Sequence, residues 1–265
     1  MQIVGELINA SRKAVHKAIE SRDAAAIGKL AGDQKEAGAD FIDVNAGVFS
    51  GRESEYLRWL IETVQGTVEG PCCIDSPDPK AIEEALSVHR GQAMINSISL
   101  EKERYEKLLP VLIGTDHKVV ALCMSDEGMP ETADQRLVIA DKLINALVQN
   151  NIALANIYVD PLVQPVATNS TYGHEFMLAI RRIMTEYPGV HTICGLSNIS
   201  YGLPERMFLN QVFLCMAMAN GLDSAIINPL DRRMMANILA GEALIGSDSF
   251  CTNYLMGYRA GKLAL

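Results

Sequence analysis

Short apolar runs alternate with longer stretches of helical spacing from one end of this chain to the other, and nothing else in the sequence restricts the fold as strongly. The expected strands are residues 2–8, 41–44, 72–74, 93–98, 119–124, 157–159, 192–196 and 224–227. Between them, residues 24–37, 53–63, 80–89, 102–112, 134–149, 173–187, 204–219 and 232–241 read as helices, and 248–265 as a closing helix. Eight strand-then-helix units argue for an α/β fold with a closed parallel sheet, a (β/α)8 TIM barrel, which needs roughly 250 residues. The chain has 265. A doubly wound open sheet is the runner-up. No Pro/Gly/Ser-rich linker or charge block divides the chain, so residues 1–265 are expected to form a single domain.

Composition excludes several classes of function. Hydrophobic residues make up 49% and charged residues 21%, enough apolar material for a sizeable core. A net charge of −9 disfavours a general nucleic-acid or anionic-membrane surface. No apolar run is long enough to span a bilayer. The start, MQIVGELINASRK, lacks the pattern of a secretory leader, and a cytoplasmic location is expected. Cysteines 72, 73, 123, 194, 215 and 251 form no CxxC pair and no disulfide-type spacing. The histidines show no zinc spacing, so no catalytic metal is expected. Phosphate-loop, dinucleotide and Gly-x-Ser-x-Gly motifs are missing.

In a barrel of this type the active site lies at the C-terminal strand ends. Here strand one runs into Glu6 and Asn9, strand two ends Asp43-Val44-Asn45 and strand three Asp75-Ser76. Strand four contains Asn96-Ser97, strand six ends Asp160-Pro161, strand seven Ser197-Asn198 and strand eight Asn228-Pro229. Strand five has an apolar tip, Ala121-Leu122-Cys123-Met124. Asp, Asn and Ser also favour turns and helix caps, so each alone has a plain structural explanation. As a set they form a ring of carboxylates and carboxamides almost free of Lys, Arg and His. Such a ring suits a neutral heterocycle rich in hydrogen-bonding groups better than a phosphorylated sugar. The 2-amino-4-oxo edge of a pterin offers two adjacent N–H donors and a carbonyl, which carboxylates and amides can match. The Leu and Met of strand five would supply an apolar wall.

The segments Gly5-Glu6-Leu7-Ile8-Asn9, Asp43-Val44-Asn45, Ile74-Asp75-Ser76, Met94-Ile95-Asn96-Ser97, Tyr158-Val159-Asp160-Pro161-Leu162 and Gly195-Leu196-Ser197-Asn198 occur in that order. Phe213-Leu214-Cys215-Met216-Ala217-Met218-Ala219 and Gly221-Leu222-Asp223 follow. This series resembles the pterin-binding methyltransferases, above all the methyltetrahydrofolate:corrinoid/iron–sulfur protein methyltransferases of anaerobic bacteria. The resemblance covers nearly the whole chain. It implies a homodimeric barrel in which Asp75, Asn96 and Asp160 hold the pterin ring and Asn198 reaches the methyl-bearing N5. It also implies that Gly195 and Ser197 line the ring and that Glu6 and Arg206 lie near the pocket. The implied substrates are tetrahydrofolate and 5-methyltetrahydrofolate. The corrinoid (cobalamin) would come on a partner protein, because the chain lacks the Asp-x-His-x-x-Gly signature of cobalamin carriers.

Methyl transfer from N5 needs assistance as the C–N bond breaks, and a network of Asn198, Asp160 and water is the expected source. Dihydropteroate synthases are the alternative. They usually continue Asp-Pro into a Lys-bearing loop and carry basic residues after Gly-x-Ser, whereas Leu162-Val163-Gln164-Pro165 and Asn198-Ile199-Ser200 stand here. A third reading is a non-catalytic pterin-binding protein. Acetyl-CoA synthesis, O-demethylation, and methylamine or betaine use all remain open as pathways.

Overall fold

The computed structural model describes residues 1–264. Eight strands line a single sheet: β1 (Gln2–Asn9), β2 (Phe41–Asn45), β3 (Cys72–Asp75), β4 (Met94–Leu100), β5 (Lys118–Ser125), β6 (Ile157–Asp160), β7 (His191–Thr192) and β8 (Ser224–Ile227). Their order is β7-β6-β5-β4-β3-β2-β1-β8, and every ladder is parallel. Between β7 and β8 the barrel is joined more sparsely: the Ile226 amide donates to the Cys194 carbonyl at 2.9 Å, and Gly195 bridges Ile226. The result is a nearly closed barrel.

Around it run α1 (Lys13–Glu20), α2 (Ala24–Glu36), α3 (Glu53–Thr67), α4 (Pro79–Leu86), α5 (Lys102–Leu112), α6 (Ala133–Gln149), α7 (Tyr172–Glu186), α8 (Arg206–Ala219), α9 (Arg232–Leu244) and α10 (Thr252–Arg259). Several start on a side-chain cap. Asp78 caps α4 ahead of Pro79, Thr132 and Gln135 form a capping box on α6, and Asp231 accepts from Arg233 and Met234 on α9. Some strand-end polar residues therefore do serve turn chemistry.

Strand alternation sorts the remaining residues into two shells. One face packs outward: Ile42, Val44, Ile74, Ile95, Val119 and Ala121 join Leu57, Leu60 and Ile61 of α3 and Leu143, Ile144 and Leu147 of α6 in the main core. The other face points inward. Val4, Phe41, Cys73, Met94, Val120, Tyr158 and Ile193, with Ile226 against them, form a separate buried cluster that takes one residue from each strand position around the barrel. Two residues further along each strand the same face continues as Glu6, Asp43, Asp75, Asn96, Leu122, Asp160, Gly195 and Asn228. An apolar plug thus underlies a mostly polar ring at the C-terminal mouth.

Three local expectations change. Helix α1 is an addition to the expected elements: Ala14, Val15, Ala18 and Ile19 recur at helical spacing over its eight residues, and Val15 and Ile19 are buried. The expected strand 192–196 ends at Thr192, and a 3-10 turn over Leu196–Ser200 takes its place beyond Gly195. The expected closing helix 248–265 begins with a 3-10 turn at Ser249–Cys251, because Phe250 and Cys251 take positive φ of 56° and 54°. It is then helical only over Thr252–Arg259, and position 265 lies outside the described residues.

Candidate functional site

The polar ring divides into two parts. On the β3–β4 side, Asp75 and Asn96 are register partners and both line a cleft of about 810 Å³, together with Leu122 and Met124 of β5. The Asn45 amide donates to Asp75 Oδ2 at 2.9 Å and fixes one carboxylate oxygen. Arg104 of α5 closes the back of the cleft. Its guanidinium donates to the carbonyls of Ser97 at 2.6 Å, Pro77 at 2.8 Å and Ser76 at 2.9 Å, tying together the loops that follow β3 and β4. Ser76 in turn hydrogen-bonds Glu53 through its hydroxyl and receives support from the Asn96 carbonyl, which accepts from the Ser76 amide at 3.2 Å.

Burial pushes the Asp75 carboxyl above the usual carboxylate range, while the Asn45 hydrogen bond and the Arg104 charge pull it back. Asp43, two residues behind Asn45, is fully enclosed. Burial raises its pKa well above the usual value, the neighbouring Asp75 and Glu6 add to this, and donors on Cys73 and Asn96 oppose it. Like charges this close cannot both ionise cheaply. Of the pair, Asp43 has no cation beside it, whereas the Asn45 amide and the Arg104 charge favour the anionic form of Asp75.

On the β6–β7 side, Asp160 is buried at the tip of β6 and its Oδ1 accepts from the Leu162 amide at 2.8 Å. Burial pushes its pKa up to about 7, against the opposing effects of the Leu162 and Gly195 amides and the Arg136 charge. Asn198 lies on the 3-10 turn after β7, and its side-chain amide has no protein partner among the described residues. A Cβ on Gly195 would stand only 3.4 Å from Asn198 Nδ2, so glycine lets the amide fold back over the strand end. Arg206, exposed at the start of α8, braces this turn by donating to Ser200 Oγ at 3.0 Å and the Ser197 carbonyl at 2.7 Å.

Glu6 and Ser197 line a smaller hollow of about 210 Å³ between β1, β7 and β8, with Arg12 and Asn210. Burial raises the Glu6 carboxyl, and Arg12 and Arg206 lower it. The eight anticipated residues therefore gather at one end of the barrel but not in one cleft. Asp75 and Asn96 share the larger cleft, and Glu6 and Ser197 the smaller one. Asp160, Gly195 and Asn198 occupy the wall between, where Leu122 of the larger cleft is the register partner of Asp160. Arg206 stays on the outside. Asp43 and Asn45 carry no individual role in the sequence reading beyond membership of the strand-end ring, and Arg104 and Arg136 do not figure in it. The inward alternation from Phe41 marks Asp43; the two arginines carry no sequence signal, because their partners are backbone carbonyls.

Comparison with known proteins places this geometry in context. A methylcorrinoid:tetrahydrofolate methyltransferase from Eubacterium limosum is 37% identical over 265 residues, 99% of this chain and 98% of that protein. Methionine synthase from Mycobacterium tuberculosis is 31% identical over 240 residues, covering 85% of this chain and 20% of the larger protein. Among solved structures, dihydropteroate synthase from Xanthomonas albilineans in complex with 7,8-dihydropteroate superposes with a TM-score of 0.70 over 94% of each chain. At 17% identity it shares the fold. A family model described as pterin binding enzyme matches residues 5–228, a span that includes every strand end described above, and the chain belongs to that family.

Proposed function

We propose that residues 1–265 form one methyltransferase domain that moves a methyl group between N5 of tetrahydrofolate and the cobalt of a corrinoid on a partner protein. The carrying observation is the match to a methylcorrinoid:tetrahydrofolate methyltransferase along nearly the full length of both chains. The site supports it. Asp75, ionised and held by Asn45, accepts the paired N–H groups of the pterin edge. Asn96 presents an amide to the mixed donor and acceptor positions beside it. Leu122 and Met124 form the apolar wall against the ring. Asp160 adds a further acceptor from the neighbouring strand, and Asn198 addresses N5, with Gly195 and Ser197 shaping the turn that carries it. Glu6 lines the smaller hollow beside the cleft, and Arg206 braces the Asn198 turn from outside.

The corrinoid supplies a cobalt centre that accepts or donates the methyl group according to direction. The chain itself fits a visiting cofactor. It has no cobalamin-carrier motif, and exposed Val48, Met129, Tyr201 and Leu230 on the loops, with Met207 in the first turn of α8, stand around the mouth as an apolar rim. As the methyl group leaves, N5 gains electron density and needs a proton or a strong donor. A carboxyl with a pKa of about 7 exchanges protons readily at neutral pH, so Asp160 suits that task through Asn198 and water. Asn198 orients; it does not itself ionise.

The proposed protein is a cytoplasmic homodimer of an anaerobe. Phe208, Val212 and Met216, spaced four apart, form an exposed apolar stripe on α8, and Leu255 and Met256 of α10 are exposed as well. A second copy would cover that face. Strongly reduced cobalt survives only without oxygen.

The decisive experiment mixes the protein with 5-methyltetrahydrofolate and a reduced corrinoid and follows the visible spectrum of cobalt. Conversion at a rate set by enzyme concentration is expected. Formation of pteroate from dihydropteroate synthase substrates, or folate binding with no turnover, would overturn the reading.

A further inference from the structure

Arg136 of α6 is fully buried although its guanidinium is permanently charged. Among the described residues no carboxylate hydrogen-bonds to it. Its donors all reach backbone carbonyls: Nε to Pro161 at 2.7 Å, Nη1 to Glu131 at 2.7 Å and Nη2 to Leu162 at 3.4 Å. Two of those acceptors belong to the turn directly after Asp160. Within the same turn, Leu162 is held at a φ of 67° and its amide donates to Asp160 Oδ1 at 2.8 Å. One peptide therefore links the guanidinium to the carboxylate, accepting from Arg136 at one residue and donating to Asp160 at the other end of the turn.

A charge taken out of water without compensation costs several kcal/mol. Neutral carbonyls orient a guanidinium but do not neutralise it. The ionisable groups that favour its charge are Cys123 on β5, Glu175 and Tyr172 on α7, and Asp160 on β6; of these, burial keeps the Cys123 thiol protonated, which leaves Glu175 and Asp160 as carboxylates. Glu175 is already engaged, since it accepts from the Ala133 amide at 2.6 Å. Around Asp160 the remaining titratable neighbours are the thiols of Cys123 and Cys194, both pushed up by burial.

We propose that Arg136 is a positioning residue for folate binding: it clamps the Pro161–Leu162 turn from behind, so that Asp160 is aimed at the pterin, and its charge favours the anionic form of that carboxyl. This rests on the reading above that Asp160 takes the ring. A buried arginine that merely knits α6 to the β6 loop would act on stability alone. The clamp has a further signature, in the pH dependence of binding. Anionic Asp160 accepts an N–H from the pterin and neutral Asp160 has one acceptor fewer. Affinity therefore falls as pH drops below about 7. Arg136 favours the anion, so without its charge the fall begins at higher pH. Asp75 and Asp43 titrate in the same mouth, and the D160N background, which retains both, reads their contribution apart from that of Asp160.

The test is titration of the full chain with 5-methyltetrahydrofolate between about pH 6 and 9, alongside thermal melts. Wild type, R136K, R136M, D160N and the R136M/D160N double variant are compared. R136M is expected to bind about tenfold more weakly and to move the acid limit of binding upward. R136K keeps the charge but cannot span three carbonyls, so it keeps the limit and loses part of the affinity. In the D160N background R136M has no further effect on binding. An unchanged acid limit in R136M, or an equal loss of affinity with and without Asp160, overturns the proposal. If R136M fails to fold, R136K decides: binding equal to wild type at every pH overturns it. Wild-type protein that binds no reduced folate overturns the functional reading itself. A methyl-transferring enzyme whose D160N variant binds folate normally removes Arg136's role and leaves the function standing.

Discussion

The β3–β4 and β6–β7 sides of the barrel mouth present similar side chains in opposite surroundings. On the first side Asp75 and Asn96 open onto a wide cleft, and Asp75 is steadied by an amide and by an arginine that lies across the neighbouring loops. On the second, Asp160 is sealed in, answers mainly to backbone amides, and has a pKa near 7. A carboxyl at the edge of a cleft, with an amide and an arginine favouring its charged form, is suited to recognition. An enclosed carboxyl poised between charge states is suited to holding or passing a proton. The same residue type does both because burial and its neighbours, not its identity, set the protonation energy. Each side also has an arginine that grips loop carbonyls rather than a carboxylate, Arg104 for the first and Arg136 for the second.

The comparison breaks first at Asn198. Asn198→Ala should lower the single-turnover rate of methyl transfer about 10²–10⁴-fold while the affinity for 5-methyltetrahydrofolate changes little. A loss of affinity matching the loss of rate would move Asn198 to the recognition side.

The second effect is on stability. The Asp160 pKa is raised from 3.8 to about 7, so the fold prefers its neutral form. Its favourable contribution is complete below pH 3.8 and is lost as pH rises through about 7. Above that, an ionised Asp160 costs the unliganded protein at most about 4 kcal/mol. Urea denaturation of Asp160→Asn should therefore gain on wild type as pH rises from about 5 to 8. A constant difference across that range would show that Asp160 is not the strained carboxyl.

Next in size, Asp75→Asn should weaken folate binding about 100-fold, since an amide cannot accept both donors of the pterin edge. Calorimetric titration would measure it, and a loss under threefold would contradict the division of labour.

The smallest expected effect tests the support of the first side. Arg104→Met should weaken folate binding about tenfold by loosening the Ser76, Pro77 and Ser97 carbonyls. It should leave the acid limit set by Asp160 in place. A shift of that limit would mean the two sides titrate as one unit.

Much of this was legible in the chain. The alternation of short apolar runs with helical stretches called for a parallel sheet covered by helices, because strands hidden on both faces need helices between them, and eight units in this length favoured a barrel over an open doubly wound sheet. The polar residues at seven of the eight strand ends followed from the same reading, and so did the apolar tip at Leu122 and Met124. Asp43 belongs to that ring too, and its place two residues along from Phe41 on the inward face sets it behind Asn45 rather than at the rim.

Other features depended on the folded chain. Where strand seven stops could not be read locally, because Ile193, Cys194 and Leu196 continue the apolar run past Thr192, and the 3-10 turn that begins at Leu196 is visible only in the folded chain. The separation of one polar ring into an open cleft and a sealed wall came from packing at the mouth. Arg104 and Arg136 bond to carbonyls that every residue possesses, so their partners leave no trace in the sequence. Which residues line the inside of the barrel was fixed by a period of two along each strand. How much water, charge and backbone each one meets there was fixed only when distant loops closed around it.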